Sequence, residues 1–128
     1  MKVSFLIIIF NFLLSFCMNL GDQNIASVDA NSIPNSISFS NHVWPILVSH
    51  CIDCHSTTGK YGTSEGIAYD SHADVVAIDP DPDGDLGFNG IRKTGIIEKT
   101  MPPGSKERFS PLDIEILLKW ELQGKLNN

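Results

Sequence analysis

Cys51-Ile52-Asp53-Cys54-His55 is the stretch from which the rest of this chain is read. Two thiols separated by two residues, with an imidazole directly after the second, fall within about one turn of coiled backbone. The residues before them have helical spacing. Ser40 is a good N-cap, and Val43, Ile46, Leu47 and Cys51 follow at intervals that place them on one face. Pro45 lies in the opening turn, where its missing N–H costs little. A first helix is therefore expected to deliver its last turn into the cysteine motif.

Three chemistries use cysteines at this spacing. Cys-x-x-Cys-His is the attachment signature of a c-type haem, in which each thiol adds across a vinyl group and the adjacent imidazole binds the iron. A structural zinc site wants four protein ligands, and the sequence has neither a second Cys-x-x-Cys nor a His-x-x-x-His to complete one. A redox-active dithiol belongs at the start of a helix after a strand, whereas this motif follows an apparent helix. The expectation is one covalent haem held by Cys51 and Cys54, with His55 as the proximal axial ligand.

A sixth iron ligand is sought downstream. Met101, in Thr100-Met101-Pro102-Pro103-Gly104, stands 46 positions after His55, far enough for the chain to pass around a haem edge. The prolines stiffen the loop that carries it. On spacing alone Met101 is either that ligand or a core methionine filling a gap. Of the other histidines, His50 belongs to the proximal side, while His42 and His72 read as solvated positions on short helices. His72 is the runner-up to Met101.

The start of the chain has the character of an export signal. Met1-Lys2 is a short basic start, and Val3 to Phe16 is almost wholly apolar but too short for the roughly 20 residues a bilayer span needs. Residues 1–21 are assigned to this signal, residues 22–38, rich in Asn, Ser and Asp, to a flexible linker, and residues 39–128 to a single domain. Cys17 is the odd cysteine. Leu14-Ser15-Phe16-Cys17 resembles a bacterial lipobox, with Phe16 bulkier than the usual residue there. Either Cys17 is lipidated and anchors the protein to the cell envelope, or cleavage nearby, after Cys17 or Gly21, gives a soluble periplasmic form.

Nine basic residues against fifteen acidic ones give a net charge of −6, which disfavours a nucleic-acid partner. The charge is uneven. Residues 61–91 hold seven acids and no Lys or Arg, while residues 92–108 hold five basic residues and two acids, making the Met101 segment locally positive at +3. Such a patch suits docking of an acidic redox partner protein. Asp79, Asp81, Asp83, Gly84 and Asp85 imitate the opening of a calcium loop, but its twelfth position is Gly90 where an EF-hand places a bidentate Glu.

Further elements follow from caps and breakers. Asp70 or Ser71 starts a short helix through Ala77, residues 79–90 form an irregular loop, and residues 90–99 hold another helix with Ile91, Gly95 and Ile96 on one side. The clearest helix has Ser110 as N-cap, Pro111 in its first turn and Gly124 as its stop. Its expected apolar face is Ile114, Leu117, Leu118 and Leu122, with Ile116 and Trp120 beside it.

Residues 39–47 leading into Cys51-Ile52-Asp53-Cys54-His55, then Met101-Pro102-Pro103-Gly104, then Leu112 through Trp120 to Gly124, resemble the small bacterial class I cytochrome c domains. The resemblance spans residues 39–124. It implies an all-α fold of four or five short helices around one covalent haem, first and last helices packed together near Trp120, and Met101 as the distal axial ligand. It also implies an electron carrier with no open site for a substrate, the alternative being a haem enzyme or gas-binding protein with an open distal position. Related domains often carry a recognisable Gly-Asp/Asn-Pro, Ser-Leu segment before the Met. The acidic 79–90 loop stands in that region here, leaving open what lines the site between residues 60 and 95.

Overall fold

The computed structural model describes residues 28–78, 84–104 and 107–128. The signal at 1–21 with Cys17, the first part of the 22–38 linker and the Asp79–Asp83 half of the acidic loop lie outside those residues. Among the described residues the chain is helical and has no strand, a single isolated antiparallel bridge joining His55 and Thr63.

The first helix begins two residues before the expected cap. The Ser38 hydroxyl accepts from the Asn41 amide at 3.3 Å, a wide π-helical turn covers Phe39–Val43, and α1 runs Trp44–His50. The widening has a cause in Pro45. With no N–H, Pro45 cannot pair with the Asn41 carbonyl, and the turn upstream bonds across five residues, Val43 N–H to the Ser38 carbonyl at 3.3 Å and Trp44 N–H to that of Phe39. After α1 come α2 (His72–Val75), capped by the Ser71 side chain, and α3 (Gly87–Gly90), which continues without a break into π-helical turns over Ile91–Ile97. The last helix, α4 (Pro111–Leu122), carries a complete capping box. Ser110 accepts from the Asp113 amide, and the Asp113 carboxylate accepts from the Ser110 amide at 2.8 Å.

The core joins both ends of the domain. Phe39, Phe88 and Trp120 meet with ring centroids 5.5–5.6 Å from the indole, over Val43, Leu47, Val75 and Leu117. Trp120 is 0% exposed, and its indole N–H donates to the Leu126 carbonyl at 3.0 Å, which satisfies the one polar atom this large ring brings inside. The first helical segment thus packs on α4 at Trp120.

Two expectations are corrected. Leu122 is 88% exposed, because at 3.6 residues per turn it stands about 140° around α4 from Leu117, and the bulk of Trp120 turns the buried face the other way. The flexible-linker assignment also fails at its described end. Ile37 is 0% exposed and Ile33 packs on the core, while the Gln123 side chain accepts from the Ile37 amide at 2.8 Å and donates to the Asn35 carbonyl at 2.7 Å. These isoleucines show no period in the sequence because they pack one at a time from irregular chain. The folded part therefore begins before residue 39.

Candidate functional site

At the end of α1 the chain coils tightly. The Cys51 amide donates to the Leu47 carbonyl at 2.8 Å, and the Cys54 and His55 amides both return to the Cys51 carbonyl, at 3.1 and 2.9 Å. This turn presents Cys51, Cys54 and His55 to one cleft. Both thiols are half-buried and neither is in a disulfide.

The opposite wall comes from distant segments. Ile91, Thr94 and Gly95 line the cleft from the third helical stretch, Met101, Pro102 and Pro103 from the loop that follows, and Phe109 from the chain entering α4. The cleft encloses about 90 Å³ and opens to solvent at its mouth. The Met101 loop is fastened by its backbone, the Thr100 and Met101 amides both donating to the Thr94 carbonyl at 2.8 and 3.1 Å. Met101 is 37% exposed and Pro102 is buried, so the thioether sits at the rim and the proline anchors it.

His55 is oriented by a carbonyl. Its Nδ1 is 3.3 Å from the Ile67 oxygen, and because a carbonyl only accepts, Nδ1 carries the proton and Nε2 keeps its lone pair. That is the tautomer of an imidazole prepared to bind a metal through Nε2. Tyr69 packs its ring 5.5 Å from the imidazole and donates its own amide to the His55 carbonyl at 2.7 Å. Burial, with smaller contributions from Cys51 and Asp85, pushes the Tyr69 hydroxyl well above its ordinary value, so it stays protonated.

All four residues singled out in the sequence, Cys51, Cys54, His55 and Met101, face this one cleft. His50 also lines it, with Nδ1 donating to the Glu107 carbonyl at 3.0 Å and Nε2 3.7 Å from the Asp113 carboxylate. The other two histidines do not line the cleft, and neither is the simply solvated position expected from its place on a short helix. His42 Nδ1 accepts from the Ser38 amide at 2.8 Å. His72 lies edge-on between Phe39 and Trp120, and its Nε2 donates to the Lys125 carbonyl at 2.7 Å.

Tyr69, Ser64, Thr94 and Phe109 are lining residues that the sequence gives no reason to select. Gly95 did carry a signal, as a glycine on the Ile91–Ile96 side of a helical pattern. A Cβ there would stand 2.5 Å from the Phe109 ring, so the glycine is what lets the helical turns and the chain entering α4 pack together within the opposite wall. No protein-family model matches the chain, and no curated protein or solved structure matches it.

The donor set suits a covalent haem. Two thiols and an imidazole in one turn, a thioether from across the cleft and a largely apolar lining are the groups that a c-type haem engages.

Proposed function

We propose that the protein is an exported c-type cytochrome that carries one haem and transfers single electrons. The observation that carries this reading is the convergence of Cys51, Cys54, His55 and Met101, from two separate parts of the chain, on a single apolar cleft. Cys51 and Cys54 would hold the haem through thioether links, and His55 Nε2 and the Met101 sulfur would bind its iron.

A haem bound there supplies a one-electron ferric/ferrous couple. The chain's residues set its poise. The Met101 thioether favours the reduced state relative to a second imidazole, while the bond from His55 Nδ1 to the Ile67 carbonyl makes the proximal ligand more basic and opposes it. Ile91, Pro102 and Phe109 are buried and give the cleft apolar lining. With His55 and Met101 both bound to iron, such a haem would leave a substrate no open position.

Partner docking falls to the Met101 face, with a narrower set of charges than the sequence implies. Arg92 pairs with Glu121 at 3.5 Å and Lys93 with Asp85 at 3.0 Å, which leaves Lys99 and Arg108 as the described basic residues for an acidic partner. A redox dithiol is disfavoured by placement. The motif sits at the C-terminal end of α1, where the helix dipole opposes the thiolate that such chemistry needs.

The test is expression in cells with a working cytochrome c maturation system, followed by acid-acetone extraction and intact mass measurement. The expected product is the chain plus one haem. Release of all haem from the intact chain would refute covalent attachment, and rapid carbon monoxide binding to the unaltered protein would favour an open-site haem protein.

A further inference from the structure

We infer that Asp70 is a positioning residue for the proximal ligand, fastening residues 67–70 against His55 so that the Ile67 carbonyl holds the imidazole in place. The inference rests on the haem reading above and deepens it.

Asp70 is exposed, yet its carboxylate is fully engaged. It accepts from the Ser56 hydroxyl, from the Thr57 amide at 3.1–3.2 Å and from the Thr57 hydroxyl at 2.6 Å. Ser56 is itself buried, and its oxygen also accepts from the Thr58 amide at 3.1 Å. The carboxylate therefore grips the two residues that directly follow His55. These are charge-assisted hydrogen bonds, shorter and stronger in kind than neutral ones, and they come from both residues that follow His55.

The grip matters because of what the same short segment does next. Ile67 accepts from His55 Nδ1 at 3.3 Å, a long bond with little strength of its own. Tyr69 donates to the His55 carbonyl at 2.7 Å and lays its ring beside the imidazole. Three contacts to His55 thus come from residues 67–69, and residue 70 ties that segment down. Removing the tie lets the Ile67 carbonyl drift from an already long contact. The imidazole then loses basicity and the ferric state loses stabilisation, which raises the reduction potential.

The experiment uses the matured holoprotein and four variants: Asp70→Asn, Ser56→Ala, Thr57→Val and Ser71→Ala. The first breaks the grip, the next two each remove one donor, and the last removes the neighbouring α2 cap, a purely structural control. Potentiometry and the exchange rate of the His55 Nδ1 proton, followed by NMR in the reduced state, are the readouts, with denaturation midpoints alongside. Asp70→Asn should shift the reduction equilibrium about tenfold toward the ferrous form, the low end of the loss expected for an outer-sphere partner, equal to about 59 mV for one electron, and speed the exchange. Ser56→Ala and Thr57→Val should shift both in the same direction by less, which keeps the test alive if Asp70→Asn fails to mature. Ser71→Ala should lower the midpoint alone. If Asp70→Asn behaves like Ser71→Ala, losing stability with potential and exchange unchanged, the inference is overturned. Wild-type protein lacking covalent haem would instead overturn the haem reading, and intact mass separates that result from the first.

Discussion

Each histidine in this chain is defined by what its ring nitrogens hold. His42 accepts an amide at a helix start, His72 donates to Lys125, His50 donates to Glu107, and His55 donates from Nδ1 while keeping Nε2 for another partner. The sequence cannot assign these roles, since each depends on a carbonyl or amide brought in by the fold. His55 was legible only because it adjoins Cys54. Met101 lines the cleft of His55 and His72 does not, so under the proposed haem reading the two candidates for a sixth ligand predict different variants. Met101→Ala in the holoprotein should abolish the weak sulfur-to-iron charge-transfer band of the oxidised state, lower the potential and admit carbon monoxide, with haem still attached. His72→Ala should leave the spectrum alone and cost roughly 1 to 2 kcal/mol in a denaturant titration, for the lost bond to Lys125 and the emptied space between Phe39 and Trp120. The opposite pattern would make His72 the ligand. Asp70 adds a pH dependence. Hydrogen bonds from Ser56 and Thr57 hold its carboxyl below the ordinary aspartate range, so its contribution is complete above the unfolded value and is lost as the pH falls through the folded one. The stability gap between wild type and Asp70→Asn should be constant near neutrality and close below about pH 4. A gap that persisted into strong acid would show that the carboxylate's charge does not matter.

Among the elements, α4 and α2 were read from local chemistry, while the cap of the first helix was expected at Ser40 and lies at Ser38. The Ser110-Pro111 start of α4, and the cap of α2 that falls to Ser71 of the two residues offered, need only neighbours within three residues. The π-helical turn at Phe39–Val43 was missed because a proline in an opening turn also suits an ordinary first turn, and nothing else local in the sequence signals the widened one. The loop from Ser56 to Asp70 was illegible for a different reason. Its order comes from bonds to the motif itself, including the Ser64 amide to the Cys54 carbonyl at 2.7 Å and the Tyr61 amide to that of Asp53 at 2.8 Å, and these have no local pattern. Gly95 shows how an element's packing reaches the site. Gly95→Ala sets a methyl against the Phe109 ring, and overpacking of this kind costs about 1 to 3 kcal/mol. The variant should also incorporate less haem than wild type, because Phe109 can yield only by moving along the cleft it lines. Normal haem yield and an unchanged denaturation midpoint would mean that Phe109 has room elsewhere.

At the scale of the molecule the packing is divided. One side is a closed core, with Phe39, Val43, Leu47, Val75, Phe88, Leu117 and Trp120 in mutual contact and polar ends satisfied by Leu126, Lys125 and Gln123. The other side is the cleft, whose walls belong to the motif, the 59–69 loop, the Ile91–Ile97 turns and the Met101 loop. A domain this small buries little apolar surface and gains from a cofactor that bridges its parts. Covalent haem would therefore stabilise the two sides unequally. Replacing both Cys51 and Cys54 with Ala removes attachment and leaves the closed core its own contacts. Hydrogen exchange, which reports local opening free energies, should show amides of residues 59–69 and 91–101 losing most of their protection in the double variant. Amides of α4 and of residues 43–47 should keep a larger share of theirs. Uniform loss across the chain would mean that the core at Trp120 does not stand without the cleft side, and that the domain folds as one cooperative unit around its cofactor.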